Sequence, residues 1–227
     1  KAVVEDGQGL WLAKLNKPAD RWNYARVEQA MLLLARRSGI STAESRLTTV
    51  GGRDVLLVKR FDREKVRGGY TRARMASGIT LLRTDDNVLS RGRWSYLLLA
   101  EELRRVTAEP KRNAHELFRR MAFNALISNS DDHPRNHAVI AKGSDWKLSP
   151  AYDLTPNPQV SETHRDLALT CGDRGRWANA GNMLTQCARF LLSREEAEAI
   201  IGGVERVVSS EWERVLASQG LAAREMA

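Results

Sequence analysis

The first sixty residues show alternating apolar and polar positions, which predict β-strands that pack on one face. Four such strands, paired as two hairpins, are predicted over residues 3–5, 10–15, 46–50 and 54–60. Gly51 and Gly52 supply the two-residue turn of the second hairpin. The run from Val55 to Val58 is apolar throughout, so this strand is expected to be covered on both faces.

Apolar residues three and four positions apart predict helices after the second hairpin and one helix between the two hairpins. These helices are predicted over residues 22–37, 94–106, 111–127, 180–192, 194–208 and 210–219. Asp20 is the expected N-cap of the first helix, and Ser193 with Glu196 forms a capping box before the fifth. Between the helices, residues 138–148 are typical of a further hairpin.

The change from strands to helices near residue 61 divides the chain into two predicted lobes. Residues 1–61 are expected to form a small β-rich lobe with one helix, and residues 62–227 a larger, mostly helical lobe. The predicted fold class is therefore α+β.

The composition is that of a folded protein with a basic surface. Of the 227 residues, 42% are hydrophobic and 28% charged, which excludes general disorder, and the apolar runs are too short for a membrane span. The net charge of +8 favours nucleotide phosphates, nucleic acid or an acidic protein surface as partners, without choosing among them. Cys171 and Cys187 are too few for a disulfide framework or a zinc site, so we expect inert thiols in a cytoplasmic protein.

Two polar loops carry the candidate chemistry. The first, residues 128–136, places Asp131 and Asn136 with four residues between them, and the predicted hairpin then leads to Asp153. Phosphoryl transfer uses a carboxylate that accepts the proton of the attacking hydroxyl, and oxygen ligands for magnesium. Asp131, Asn136 and Asp153 have the order that this reaction requires, although Asp131 and Asn136 alone would also fit a simple capped turn.

Lys14 is a candidate phosphate ligand because it lies in an otherwise apolar predicted strand. A lysine in such a strand is unusual unless a negative charge neutralises it. Glu28, on the following predicted helix, and the phosphates of a nucleotide are both suitable partners. An exposed position on an edge strand is the alternative explanation.

In these segments the chain resembles HipA-like serine/threonine kinases, the toxins of HipBA toxin–antitoxin pairs. Residues 129–137 resemble their catalytic loop, 148–154 their metal-binding loop, 58–63 the hinge between their lobes and 23–40 their first-lobe helix. The resemblance implies a two-lobed protein-kinase-like fold that uses ATP and Mg²⁺ to phosphorylate serine or threonine on a protein. An aminoacyl-tRNA synthetase is the known target class, and a HipB-like DNA-binding antitoxin is the implied partner, with DNA contacted only through it.

Carried over to this sequence, the resemblance assigns catalytic and metal-binding roles in the two polar loops. It makes Asp131 the catalytic base and Asn136 and Asp153 the magnesium ligands. His133 would orient the catalytic loop or approach a phosphate, and a structural histidine is an equally good interpretation.

The resemblance also assigns a nucleotide site in and behind the first lobe. Lys14 would contact the ATP phosphates, with Glu28 as its partner. Lys59 and Phe61 would offer hinge backbone to adenine.

Two features depart from the family. Its Gly-rich, phosphate-covering segment would precede Lys1, so we expect a chain truncated before or at that segment, with Gly7 and Gly9 forming only a hairpin turn. Residues 72–77 contain no carboxylate where many members carry an acidic pair.

Two other functions remain open from the sequence. A kinase for a small molecule or lipid would use the same arrangement of Asp131, Asn136 and Asp153. An inactive kinase fold could instead bind an antitoxin or nucleic acid through its basic surface. A metal hydrolase is disfavoured, since no further histidine or cysteine lies at convincing spacing from the cluster of Asp131, Asp132, His133 and His137.

Overall fold

The first lobe is an antiparallel sheet with one helix, in a computed structural model that describes residues 1–16, 20, 22–157 and 164–221. Its elements are β1 (Ala2–Asp6), β2 (Gly9–Leu15), α1 (Tyr24–Arg37), β3 (Ser45–Val50) and β4 (Arg53–Lys59). The strands lie in the order β1-β2-β4-β3, so both predicted hairpins form and β4 lies inside the sheet. Gly51 and Gly52 both have positive φ, as the predicted two-residue turn requires.

Strand β4 is buried on both faces, as its apolar run predicts. Val55 and Leu57 pack with Trp11 on one face. Leu56 and Val58 pack on the opposite face, toward α1. Because β2 pairs with β4, the same alternation directs Lys14 to the α1 face, where its register partner is Leu56.

Helix α1 begins two residues later than predicted, and its N-cap is Asn23 rather than Asp20. The Asn23 side chain accepts a hydrogen bond from the Arg26 amide at 3.2 Å and donates one to Asp54 at 2.7 Å. The prediction of Asp20 was wrong because Asn23 also reaches strand β4, and a sequence pattern does not show that contact.

The change to helices at residue 61 is less sharp than predicted, because more strands follow. The hairpin β5 (Arg63–Val66) and β6 (Gly69–Arg72) comes first. A three-stranded sheet then joins β7 (Arg74–Ser77) to the predicted hairpin, β8 (Ala138–Lys142) and β9 (Asp145–Leu148). Strands β5, β6 and β7 are only four residues long, which leaves too few alternating positions to recognise them from their own sequence.

Five helices make up the second lobe in the described part of the chain: α2 (Gly78–Leu82), α3 (Tyr96–Val106), α4 (Pro110–Leu126), α5 (Ala180–Leu184) and α6 (Arg194–Ser218). Short 3-10 turns cover Val88–Arg93, Pro134–Asn136 and Cys187–Phe190. The predicted helix over 180–192 is therefore only α5 and a 3-10 turn. No helix among the described residues is both long enough and apolar enough to cross a membrane.

Helix α6 is continuous over 25 residues, although the sequence predicted two helices divided near residue 209. The Ser210 hydroxyl donates to the Arg206 carbonyl within the helix at 2.7 Å. Val204 and Val215, on either side of the predicted break, both pack in the hydrophobic cluster that α6 shares with α1 and α4. The capping box of Ser193 and Glu196 forms as predicted.

Two large hydrophobic clusters hold the fold together. One surrounds α3 and α4 and includes Cys171 and Cys187, which are buried free thiols as expected. The other joins α1 to the ends of α4 and α6, through residues such as Leu34, Phe123 and Val215. Helix α1 therefore packs against the second lobe as well as against its own sheet.

Gly78 provides a test of how tightly the catalytic-loop candidate is packed. A Cβ at Gly78 would overlap the Pro134 carbonyl and lie 3.3 Å from Leu99, so Gly78→Ala is expected to cost about 1–3 kcal/mol of unfolding free energy. Gly202→Ala is the matched control, since its Cβ meets nothing within 4 Å and should stabilise α6 by about 0.5–1 kcal/mol. Urea unfolding measures both, and equal effects would contradict the packing described.

Candidate active site

Lys14 lies between two carboxylates at the junction of the lobes. Its Nζ donates to Glu28 Oε1 at 2.5 Å and to Asp153 Oδ1 at 2.6 Å. Strand alternation directs Lys14 toward α1, and Glu28 lies on the face of α1 that turns toward the sheet. One ammonium thus joins a strand and a helix of the first lobe to a loop of the second.

Burial makes this arrangement electrostatically strong. The side chains of Lys14 and Glu28 are 12% and 7% exposed. Burial alone would lower the pKa of Lys14, but the charges of Glu28 and Asp153 outweigh it and raise the pKa above its ordinary value. Burial likewise would raise the pKa of Asp153, and Lys14 overcomes that effect and lowers it. For Glu28 burial dominates, so its pKa is raised.

Asp153 reaches Lys14 from an unusual backbone conformation. Its φ is 60°, in the left-handed region that few residues other than glycine adopt, with aspartate and asparagine among the exceptions. The loop before it is fixed to the first lobe, because the Ala151 amide donates to the Ser41 carbonyl at 2.7 Å and the Ala43 amide donates to the Ala151 carbonyl at 2.9 Å. The carboxylate is therefore held toward Lys14 by the loop itself.

The loop after α4 presents one carboxylate outward and one inward. Asp131 is exposed, whereas Asp132 is 1% exposed and lies inside the second lobe. The Asn136 Nδ2 donates to the Asp131 carbonyl at 3.3 Å, which leaves the amide oxygen of Asn136 as the end that could bind a cation. Of the two adjacent aspartates, only Asp131 is open to solvent.

A cavity of about 430 Å³ opens between these elements. Six of the eight predicted site residues line it: Lys14, Lys59, Phe61, His133, Asn136 and Asp153. Glu28 lies behind Lys14, and Asp131 is outside the lining. The structure thus brings both polar loops and the hinge segment to one cleft.

The hinge segment is partly engaged in other bonds. The Lys59 amide donates to the Glu44 carbonyl at 2.8 Å, so an adenine contact from Lys59 would have to use its carbonyl oxygen. Its ammonium pairs with the Glu44 carboxylate at 2.7 Å. Phe61 packs its ring on Tyr152, with ring centroids 5.7 Å apart.

Tyr152 and Asp62 are among the lining residues to which the sequence gave no role. Tyr152 donates to the Arg135 carbonyl at 2.8 Å and so joins the two polar loops. Asp62 accepts from Nε and Nη2 of Arg60, both at 2.7 Å, which fixes the end of the hinge. Both residues stand inside recognised motifs, but the contact of Tyr152 with the other loop is not visible in a sequence.

The donor set suits magnesium held together with a polyphosphate. Asn136 and Asp153 bring oxygen ligands to the same cavity as the ammonium of Lys14. Mg²⁺ commonly takes one or two protein carboxylates and completes its shell with phosphate and water. In keeping with this, no group of three or more His, Cys, Asp or Glu residues within the described ranges is placed to form a metal cage.

Removal of Lys14 tests the charge balance of this cluster. Lys14→Met would leave Glu28 buried without its ammonium and is expected to cost about 3–5 kcal/mol of unfolding free energy at neutral pH. The loss should be smaller at low pH, because protonation of Glu28 removes the unpaired charge. A carboxyl group whose pKa is raised in the folded protein lowers the free energy of unfolding only as the pH rises toward that raised pKa. Denaturant unfolding at several pH values measures this.

Two variants serve as controls for that measurement. Lys59→Met breaks the more exposed pair with Glu44 and should change stability by about 1 kcal/mol or less. Adding Glu28→Gln to Lys14→Met should recover part of the loss. A pH-independent loss without recovery would contradict the described charge balance.

Comparison with known proteins gives relatives of low sequence identity. Putative kinase Y4mE of Sinorhizobium fredii is 26% identical over 153 residues, which cover 65% of this chain and 36% of that protein. A putative kinase of Haemophilus influenzae is 24% identical over 196 residues, which cover 81% of this chain and 57% of that protein. The chain therefore spans between about a third and three fifths of the length of these relatives.

Two solved structures share the fold. HipA of Shewanella oneidensis MR-1, determined with HipB and operator DNA, matches with a TM-score of 0.77 at 17% identity, over 99% of this chain and 58% of that one. The Helicobacter pylori proinflammatory kinase CtkA matches with a TM-score of 0.62 at 13% identity, over 96% of this chain and 90% of that one. The predicted α+β kinase-like fold is thereby confirmed. Residues 1–212 match the family model of the HipA-like C-terminal domain, and the chain therefore belongs to this family.

Proposed function

We propose that the chain carries the catalytic centre of an ATP- and magnesium-dependent kinase that phosphorylates serine or threonine on a protein. The observation that carries the proposal is the bonding of Lys14 to both Glu28 and Asp153 at the cleft that Asn136 also lines. A lysine paired with a helix glutamate, facing a loop aspartate and an asparagine, is the arrangement used for phosphoryl transfer.

Each polar group then has a distinct task. Lys14, oriented by Glu28, binds the phosphates of ATP. Asn136 and Asp153 hold magnesium, which neutralises charge on the phosphates when bound. Asp131, exposed on the loop that also carries Asn136, accepts the proton of the attacking hydroxyl.

The hinge is the proposed adenine site. The apolar part of the cavity comes from residues on both sides of the hinge, including Leu12, Val58 and Met75. Such a surface suits a flat base, with backbone polar groups near Lys59 and Phe61 giving orientation.

The proposed partner is a HipB-like DNA-binding antitoxin, with DNA bound only indirectly. The support is that the structurally similar HipA of Shewanella oneidensis was determined with HipB and its operator DNA. An aminoacyl-tRNA synthetase is proposed as the class of protein substrate on the family resemblance alone.

Nucleotide binding is the first prediction of this proposal. Isothermal titration should show that wild type binds ATP more tightly with Mg²⁺ than without it. Asp153→Asn should bind ATP with little or no dependence on Mg²⁺, because it removes the proposed metal carboxylate. Asp145→Asn, an exposed aspartate on β9, is the matched control and should behave as wild type. If wild type binds no ATP at millimolar concentration, or if Asp153→Asn keeps the full Mg²⁺ effect, the assignment is wrong.

Phosphate transfer is the second prediction. Asp131→Asn should lower the rate of transfer from γ-labelled ATP to proteins by about 10²- to 10⁴-fold, as loss of a general base does. Its affinity for ATP with Mg²⁺ should be unchanged, because Asp131 does not line the cavity. Phosphoamino acid analysis of the labelled protein identifies serine or threonine. Label found only in metabolites or lipids would instead support a small-molecule kinase.

A further inference from the structure

The loop that presents Asp131 and Asn136 is tied across its base by a buried hydrogen bond. Each of these two residues is followed by a buried one, Asp132 after Asp131 and His137 after Asn136. His137 Nε2 lies 2.7 Å from Asp132 Oδ2. The bond therefore links the two positions directly behind the proposed base and the proposed metal ligand.

The same carboxylate oxygen is held from the body of the second lobe. The hydroxyl of Tyr96, at the start of α3, also donates to Asp132 Oδ2. Asn124 on α4 donates to the Tyr96 hydroxyl at 3.2 Å, and Asn129 donates to Asn124 at 3.1 Å. A chain of hydrogen bonds thus runs from the two central helices to the inside of the loop.

The chemistry of these groups fixes the direction of each bond. The carboxylate oxygen Oδ2 of Asp132 accepts from the Tyr96 hydroxyl, and from His137 in the tautomer that carries its hydrogen on Nε2. Burial and the neighbouring Asp132 raise the pKa of Tyr96 well above its usual range, which keeps the phenol protonated as a donor. The Tyr96 and His137 rings also pack edge to face, with centroids 5.5 Å apart.

A contribution to folding stability does not by itself account for the buried hydrogen bonds of Tyr96, Asp132 and His137. Buried charged and polar groups are costly to desolvate, and apolar residues of similar size often give an equally stable core. The hydrogen bonds of Tyr96, Asp132 and His137 add a defined geometry, since a hydrogen bond fixes distance and angle whereas apolar packing allows small displacements.

We infer that Asp132, bound by His137 and Tyr96, is a positioning residue that holds Asp131 and Asn136 at the spacing the reaction needs. Asp132 itself does not line the cavity and is 1% exposed, so it acts only through its neighbours. This inference rests on the proposed function, because positioning matters only if Asp131 and Asn136 take part in the reaction.

Two substitutions of His137 separate positioning from simple packing. His137→Phe keeps a ring but removes the donor, whereas His137→Gln keeps an amide N–H near the place of Nε2. His137→Phe should lower kcat of phosphate transfer by about 10- to 100-fold, the cost expected for a misplaced catalytic group, with KM for ATP nearly unchanged. His137→Gln should recover most of kcat.

A control for stability comes from the far end of α3. Thr107→Val removes a buried hydrogen bond of 2.6 Å from the Thr107 hydroxyl to the Leu103 carbonyl without touching the loop. It should lower the melting temperature as other lost buried hydrogen bonds do and leave kcat unchanged. If Thr107→Val and His137→Phe lower kcat in proportion to their loss of stability, the positioning role is overturned.

Hydrogen exchange gives a readout that does not depend on activity. His137→Phe should speed exchange of the amides in residues 128–137 by about tenfold, and Thr107→Val and His137→Gln should not. If wild type transfers no phosphate but exchange changes as stated, the proposed function fails while the loop restraint stands. If exchange and kcat of His137→Phe both equal those of wild type, the inference is wrong.

Discussion

The structure depends on one buried ammonium. Lys14 is the point at which strand β2, helix α1 and the loop carrying Asp153 meet, with bonds of 2.5 and 2.6 Å to its two carboxylates. Glu28 would be costly to bury without the lysine, and the lysine would be costly to bury without a carboxylate, whereas Asp153 is one third exposed. Charge balance therefore fixes the relative positions of three elements that are distant in the sequence.

Hydrophobic packing of helix α1 holds Glu28 in this arrangement. Helix α1 brings Glu28 toward the sheet on one side and packs Leu34 against the cluster of α4 and α6 on the other. The helix cannot shift toward either lobe without opening one of these contacts. The glutamate is thus positioned by a core that extends into the lobe that carries the proposed catalytic loop.

Local patterns in the sequence predict the elements that are long and regular. The hairpins of the first lobe, α1, α3 and α4 were all visible as periodicity, and the facing of Lys14 toward Glu28 follows from alternation along β2. Features decided by distant partners were not visible. Asn23 replaces Asp20 as N-cap because it also reaches Asp54. Helix α6 is one helix whose residues on both sides of the predicted break, Val204 and Val215, pack in the same cluster with α1 and α4. The link of Asp132 to His137 and Tyr96 depends on a helix 36 residues away in sequence from Asp132. The spacing to Asn136 selects Asp131 rather than Asp132 as the candidate base, but the burial of Asp132 beside it is visible only in the structure.

The left-handed backbone at Asp153 places two separate demands on a single position. The φ of 60° is accessible to aspartate, asparagine and glycine at low cost and is strained for most other residues. The contact with Lys14 requires a negative charge on a short side chain. Asparagine and glycine meet the first demand and fail the second, whereas glutamate fails the first. None of these replacements satisfies both demands, so the structure strongly constrains the residue at this position. Asparagine removes the charge while keeping both the backbone conformation and the size of the side chain.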